Sequence, residues 1–182
     1  MNKAVFLDRD RTLIKPMRPR LINTKFGRVL NDCVVCPSEI KFYPGVIGGL
    51  KQLQSKGYKL IIVTNQSVVA RGVITEAQLA RIHRRLISLL QAQGVKIAGV
   101  YHCPHHPEGV VKKYRLKCKC RKPEPGLIRR AAGRHNIDLK KSFMVGDSSK
   151  DMLAGKKAGL RTVKVSLALG FGRAVNKIIK YG

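Results

Sequence analysis

Tryptophan is missing from this 182-residue chain, and acidic residues are few: ten, against 37 lysines and arginines. With only five Phe and five Tyr, the core is expected to be aliphatic. No apolar run approaches the ~20 residues a membrane helix needs. The longest, such as Leu60-Ile61-Ile62-Val63, are strand-sized. The opening residues Met-Asn-Lys-Ala-Val-Phe-Leu-Asp hold no signal-peptide hydrophobic stretch, so a cytoplasmic protein without membrane contact is expected. In that setting the five cysteines are expected as thiols or metal ligands rather than disulfides. What is abundant is positive charge, +27 at neutral pH. Such an excess favours polyanionic contacts: nucleic acid, anionic lipid or phosphorylated metabolites. A solvated basic surface is the simpler reading, because no single basic helix or nucleic-acid motif stands out. Apolar residues still make up 44% of the chain, which excludes a disordered tail and fits one domain over residues 1–182.

The few acids are informative by position. Asp8, Asp10, Asp147 and Asp151 form two short pairs, each just after an apolar, strand-like run. A chain so poor in carboxylates that keeps two tight pairs has a use for them.

Hydrophobic spacing predicts strands at 4–7, 59–63, 97–101, 142–145 and 161–165. Helices are expected between them. One opens at Pro44 and ends near Lys56, before Gly57. A second begins at Thr75, where Gln78 completes a capping-box pattern, carries the stripe Leu79, Ile82, Leu86, Leu89 and Leu90, and ends at Gly94. Others run from Pro125 to about Arg134 and from about Lys150 to Ala158, and a short amphipathic helix is expected from about Arg173 to Lys180. Residues 15–43 are basic and proline-punctuated and read as a long substrate-side loop with room for a short hairpin. Residues 102–122 concentrate His, Cys and bases. Alternating strands and helices imply an α/β fold, a parallel sheet with helices on both faces, loop insertions and no large cap domain.

In such sheets ligands bind beyond the C-terminal strand ends. Three strands end in reactive polar residues: Asp8-Arg9-Asp10, Thr64-Asn65-Gln66-Ser67 and Gly146-Asp147. Together they suit phosphoryl transfer. A carboxylate, Asp8, can attack phosphorus and form an aspartyl-phosphate. Asp10 can protonate the leaving oxygen and then activate water. Magnesium takes a few protein oxygens plus water and phosphate; Asp8, Asp147 and a backbone carbonyl near Asp10 could supply them. Thr64 can donate to the phosphoryl group, and Lys122 can balance its charge. Cys103, Cys118 and Cys120 with one of His105 and His106 suit a tetrahedral structural zinc.

The motifs Asp8-Arg9-Asp10-x-Thr12, Thr64-Asn65-Gln66-Ser67, Arg121-Lys122-Pro123 and Gly146-Asp147-x-x-x-Asp151 resemble the four motifs of haloacid-dehalogenase-like phosphatases. The resemblance spans about residues 3–166 and is nearer to the D-glycero-D-manno-heptose 1,7-bisphosphate 7-phosphatases and histidinol phosphatases. It implies a Rossmann-like sheet and a magnesium-dependent monoester hydrolase acting on a small phosphorylated metabolite, with a sugar bisphosphate of lipopolysaccharide-core or surface-glycan synthesis favoured. It also implies substrate contacts from Asn65, Gln66, Ser67 and Arg121. It selects His105 over His106 as the zinc ligand, because that subfamily carries Cys-x-His and Cys-x-Cys there. A monomer is expected.

Arg11 stands where the family usually has glycine, a residue suited to a left-handed turn. An arginine there either strains the turn or adds a fork-shaped phosphate contact. Val68 and Ser148 also depart from the subfamily pattern, and Cys33 and Cys36 read as plain thiols. The competing readings are a histidinol-phosphate phosphatase, a polynucleotide 3′-phosphatase favoured by the charge, and a catalytically impaired anion-binding relative favoured by Arg11.

Overall fold

The computed structural model describes residues 1–166 and 170–182. The chain opens with strand β1 (Ala4–Leu7), then an antiparallel hairpin, β2 (Arg20–Thr24) and β3 (Gly27–Asn31). Helix α1 (Val46–Ser55), β4 (Lys59–Asn65), α2 (Glu76–Ala92) and β5 (Ile97–Cys103) follow. The second half is α3 (Gly126–His135), β6 (Phe143–Gly146), α4 (Ser149–Ala158), β7 (Arg161–Lys164) and α5 (Gly170–Tyr181). The five sheet strands lie in the order β5-β4-β1-β6-β7, every pairing parallel. The expected doubly covered α/β sheet is therefore present.

Side-chain alternation along β1 splits the core. Val5 and Leu7 face α1, α2 and α5, while Ala4 and Phe6 face α3 and α4. A strand buried on both faces reads as a continuous apolar run, as β1 does. The chain builds outward from β1 through β4 to β5, then crosses back to β6 on its other side. This reversal opens a crevice at the C-terminal end of β1, the switch point where such sheets bind ligands.

Local sequence sets the helix starts. The Thr75 hydroxyl accepts from Gln78 N, and Gln78 Oε1 accepts from Thr75 N, closing the expected capping box. Ser148 and Asp151 form a second one at α4. Some boundaries differ from expectation. β4 and β5 each run two residues further, because their ladder continues through Thr64↔His102 and Asn65↔Cys103. α1 starts at Val46 rather than Pro44, since Gly45 takes φ 78°, outside helical space. α5 begins at Gly170 and buries Phe171, which lengthens the expected tail helix.

Candidate active site

The adjacent strands β4, β1 and β6 deliver their C-terminal residues to one place. Asp8 follows β1, Thr64 and Asn65 end β4, and Asp147 follows β6; all line a cavity of about 240 Å³ with Asp10 and Lys122. Lys122 arrives from the segment before α3 and is buried. Its Nζ donates to Asp8 Oδ1 at 2.6 Å and to the Val63 carbonyl at 2.9 Å, and lies 2.5 Å from Asp151 Oδ1. Asn65 fixes that segment: its Nδ2 donates to the Lys122 carbonyl at 3.1 Å, and its Oδ1 accepts from Lys122 N at 3.0 Å.

Asp151 is placed by the α4 capping box. Its Oδ2 accepts from Ser148 N and Oγ, which turns its other oxygen toward Lys122. Gly146 permits this approach; a Cβ there would lie 2.4 Å from Asp151 Cγ. Asp10 is held from the other side. Both its oxygens accept from Arg9, and Oδ2 also accepts from Gln66 Nε2 at 2.7 Å. Gln66 Nε2 donates as well to Thr64 Oγ1 at 2.9 Å.

Three carboxylates, Asp8, Asp147 and Asp151, bring one oxygen each within 4.8 Å of the others. One lysine balances them, so the fully ionised cluster carries two net negative charges. Burial pushes Asp8 up to about 7, with Lys122 opposing and Asp151 and Asp10 adding to the rise. Burial alone would push Lys122 down, but Asp8 and Asp151 overcome it and hold it above the ordinary lysine value. Burial and then Asp151 raise Asp147 as well. An all-oxygen, electron-rich set of this kind fits a hard divalent cation such as magnesium.

A second cluster lies behind Lys122. The Sγ atoms of Cys103, Cys118 and Cys120 are 3.1–3.5 Å apart, and His105 Nδ1 lies 3.4–3.6 Å from two of them. Zinc–sulfur bonds of about 2.3 Å give a tetrahedral edge of ~3.8 Å, close to these separations. His106 Nδ1 instead accepts from Glu108 N.

Other positions differ from the sequence expectations. Gln66 does not line the cavity; it is buried and saturated by Arg9, Asp10 and Thr64, because β4 ends with its side chain turned into the protein. Ser67 and Arg121 do not line it either, and Arg121 Nη1 donates to the His105 carbonyl at 3.1 Å. Asp10's carboxylate stands outside the three-carboxylate cluster, because Arg9 and Gln66 draw it aside; Asp151 occupies that place. Arg11 takes φ 58°, the backbone a glycine would supply, and its guanidinium pairs with Asp32 just past β3. Sequence reasoning gave no role to Arg9, His83, Asp32 or Asp151. Arg9 and Asp151 sit inside the quoted motifs, whereas His83 and Asp32 carry no local signal.

The HAD-hydrolase-like family matches residues 119–167. A Haemophilus ducreyi protein named D-glycero-beta-D-manno-heptose-1,7-bisphosphate 7-phosphatase is 44% identical over 161 residues, covering 88% of this chain and 80% of that protein. The Escherichia coli protein of the same name is 39% identical over 159 residues, covering 87% of this chain and 76% of the relative. The solved structure of D,D-heptose 1,7-bisphosphate phosphatase from B. bronchiseptica, complexed with magnesium and phosphate, gives a TM-score of 0.70 at 30% identity. That match covers 99% of this chain and 87% of the other. With such identity over most of its length, and with the four motifs gathered at one sheet edge, the chain belongs to the haloacid-dehalogenase-like phosphatases.

Proposed function

We propose that this chain removes the 7-phosphate from D-glycero-D-manno-heptose 1,7-bisphosphate in lipopolysaccharide-core or surface-glycan heptose synthesis, acting as a cytoplasmic monomer. The observation that carries the reading is the buried Asp8–Lys122–Asp151 cluster, at the floor of a cavity that Asp10 and Asp147 also line. The names of the relatives supply the sugar. No helix among the described residues is long and apolar enough to cross a membrane.

In this reading Asp8 attacks phosphorus, and Asp10 gives its proton to the departing sugar oxygen. Asp10 then takes a proton from water as that water attacks the aspartyl-phosphate, which frees phosphate and restores Asp8. Lys122 and Thr64 hold the phosphoryl oxygens through both steps. Asn65 and Asp151 position Lys122. Magnesium held by Asp8, Asp147 and the main chain near Asp10 would supply charge neutralisation between nucleophile and phosphate. Cys103, His105, Cys118 and Cys120 would hold a structural zinc, whose bonds would tie the segment ahead of Lys122 to the end of β5.

The test is magnesium-dependent phosphate release from heptose 1,7-bisphosphate, histidinol phosphate and a 3′-phosphorylated oligonucleotide, with Asp8→Asn as the blank. Preferential release from the heptose is expected. Preference for the oligonucleotide, with steep loss of activity in salt, would favour a nucleic-acid 3′-phosphatase, the reading that the +27 charge supports. No release from any of the three would mark an anion-binding relative. Elemental analysis should find one zinc per chain, absent in Cys120→Ser.

A further inference from the structure

Three side chains converge on Arg9, the residue between the two motif aspartates, and one of them, His83, has no part in the chemistry above. Arg9 is fully buried. Its Nε and Nη2 donate to both oxygens of Asp10 at 3.0–3.2 Å, and Nη2 also donates to Gln66 Oε1 at 2.8 Å. The remaining nitrogen, Nη1, lies 3.2 Å from His83 Nε2. A guanidinium has only donors, so this contact needs a lone pair on Nε2 and places the imidazole proton on Nδ1. Burial, with Arg9 and His102 adding to it, pushes His83 down to about 3, which keeps the ring neutral and able to accept.

His83 projects from the buried face of α2, one turn past Leu79 and outside all four motifs. Its ring lies against His102 with centroids 5.3 Å apart, and His102 Nε2 is 2.9 Å from Glu76 Oε2 at the start of the same helix. The ring is thereby braced from both sides.

We propose that His83 is a positioning residue for the phosphatase reaction: by accepting from Arg9 it fixes the guanidinium fork that aims the carboxylate of Asp10. This rests on the phosphatase reading above. Loss of the acceptor leaves a buried N–H unpaired, and the fork turns to find another partner. The carboxylate held by that fork turns with it. The effect should be selective. A departing sugar alkoxide needs a proton from Asp10, whereas p-nitrophenolate leaves without one.

The experiment compares wild type, His83→Leu and His83→Gln on heptose 1,7-bisphosphate and on p-nitrophenyl phosphate, with Tm measured for each. In His83→Leu, kcat/KM on the sugar should fall about tenfold or more, and on the aryl phosphate by less than about threefold. His83→Gln, which keeps an acceptor, should recover most of the loss on the sugar. Equal losses on both substrates, or none on either, would overturn the assignment, as would a failure of the glutamine to rescue. If the leucine variant does not fold, His83→Phe removes the acceptor while keeping a ring. Wild type inactive on both substrates would sink the phosphatase reading and this inference together. Wild type active only on another sugar phosphate would sink only the heptose, and the comparison is then made on that sugar.

Discussion

Lys122 carries a structural burden beside the phosphoryl-holding role proposed for it. It is the cation shared by two buried carboxylates, Asp8 and Asp151. Removing one partner from such a set strands the other charges, which costs roughly 3–5 kcal/mol. Lys122→Met is therefore expected to lower unfolding free energy by about that amount in urea, with added magnesium recovering part of it. Arg11 is a different case. A non-glycine residue at positive φ costs ~1 kcal/mol, and its exposed ion pair with Asp32 returns ~0–1 kcal/mol. Arg11→Gly should leave stability within about 1 kcal/mol of wild type. Because the side chain lines the cavity and is cationic, the same change should raise KM for a bisphosphate, which steady-state kinetics would read. His83 gives a pH signature. It is neutral in the fold, yet takes up a proton near its ordinary 6.5 once unfolded. Between about pH 6 and pH 4 the unfolded chain binds one more proton, so acid lowers stability by ~1.4 kcal/mol per pH unit through this residue. His83→Leu should flatten the measured slope by that much; parallel slopes would contradict it.

At the scale of elements, the contact between α1 and α5 is the tightest test of packing. A Cβ on Gly49 would lie 2.8 Å from Val175 Cγ2 and 2.9 Å from Phe171 Cδ1. Alanine improves helix propensity by up to about 1 kcal/mol, but overpacking costs about 1–3 kcal/mol. Gly49→Ala is expected to lower Tm, and a rise would show that α5 shifts freely on the sheet. The elements themselves were largely legible. Thr75 and Gln78 announced α2, and apolar runs announced every strand of the sheet. Strand ends were less so, because whether Thr64 and Asn65 extend β4 depends on pairing with His102 and Cys103 on β5. The hairpin was expected only as a short one somewhere within a long loop, because Arg20–Thr24 and Gly27–Asn31 do not alternate apolar with polar residues along the sequence.

Over the whole molecule the charge excess is barely compensated. Among the described lysines and arginines only Arg9, Arg11, Arg20, Lys122, Lys141 and Lys157 pair with a carboxylate. The other bases repel one another across the surface, so the fold should be stabilised by screening. Raising salt from about 0.01 M to 0.1 M shortens the Debye length from about 30 Å to about 10 Å. Unfolding free energy should rise by about 1 kcal/mol or more, seen as a Tm increase of ~2–4 °C for a chain of this size. No increase would mean that the cations are already spaced beyond each other's reach.

The sequence by itself determined the sheet and marked most members of the two side-chain clusters, because each is a short pattern on one element: an apolar run followed by Asp8, Gly146-Asp147, Cys103-x-His105 and Cys118-x-Cys120. The tertiary structure alone decided which partners those residues take. Asp151 reaches Lys122, Gln66 and Arg9 turn inward to grip Asp10, and His83 meets Arg9 across 74 positions. Such contacts depend on how α2 and α4 lie against the sheet, a matter of packing that no local pattern records.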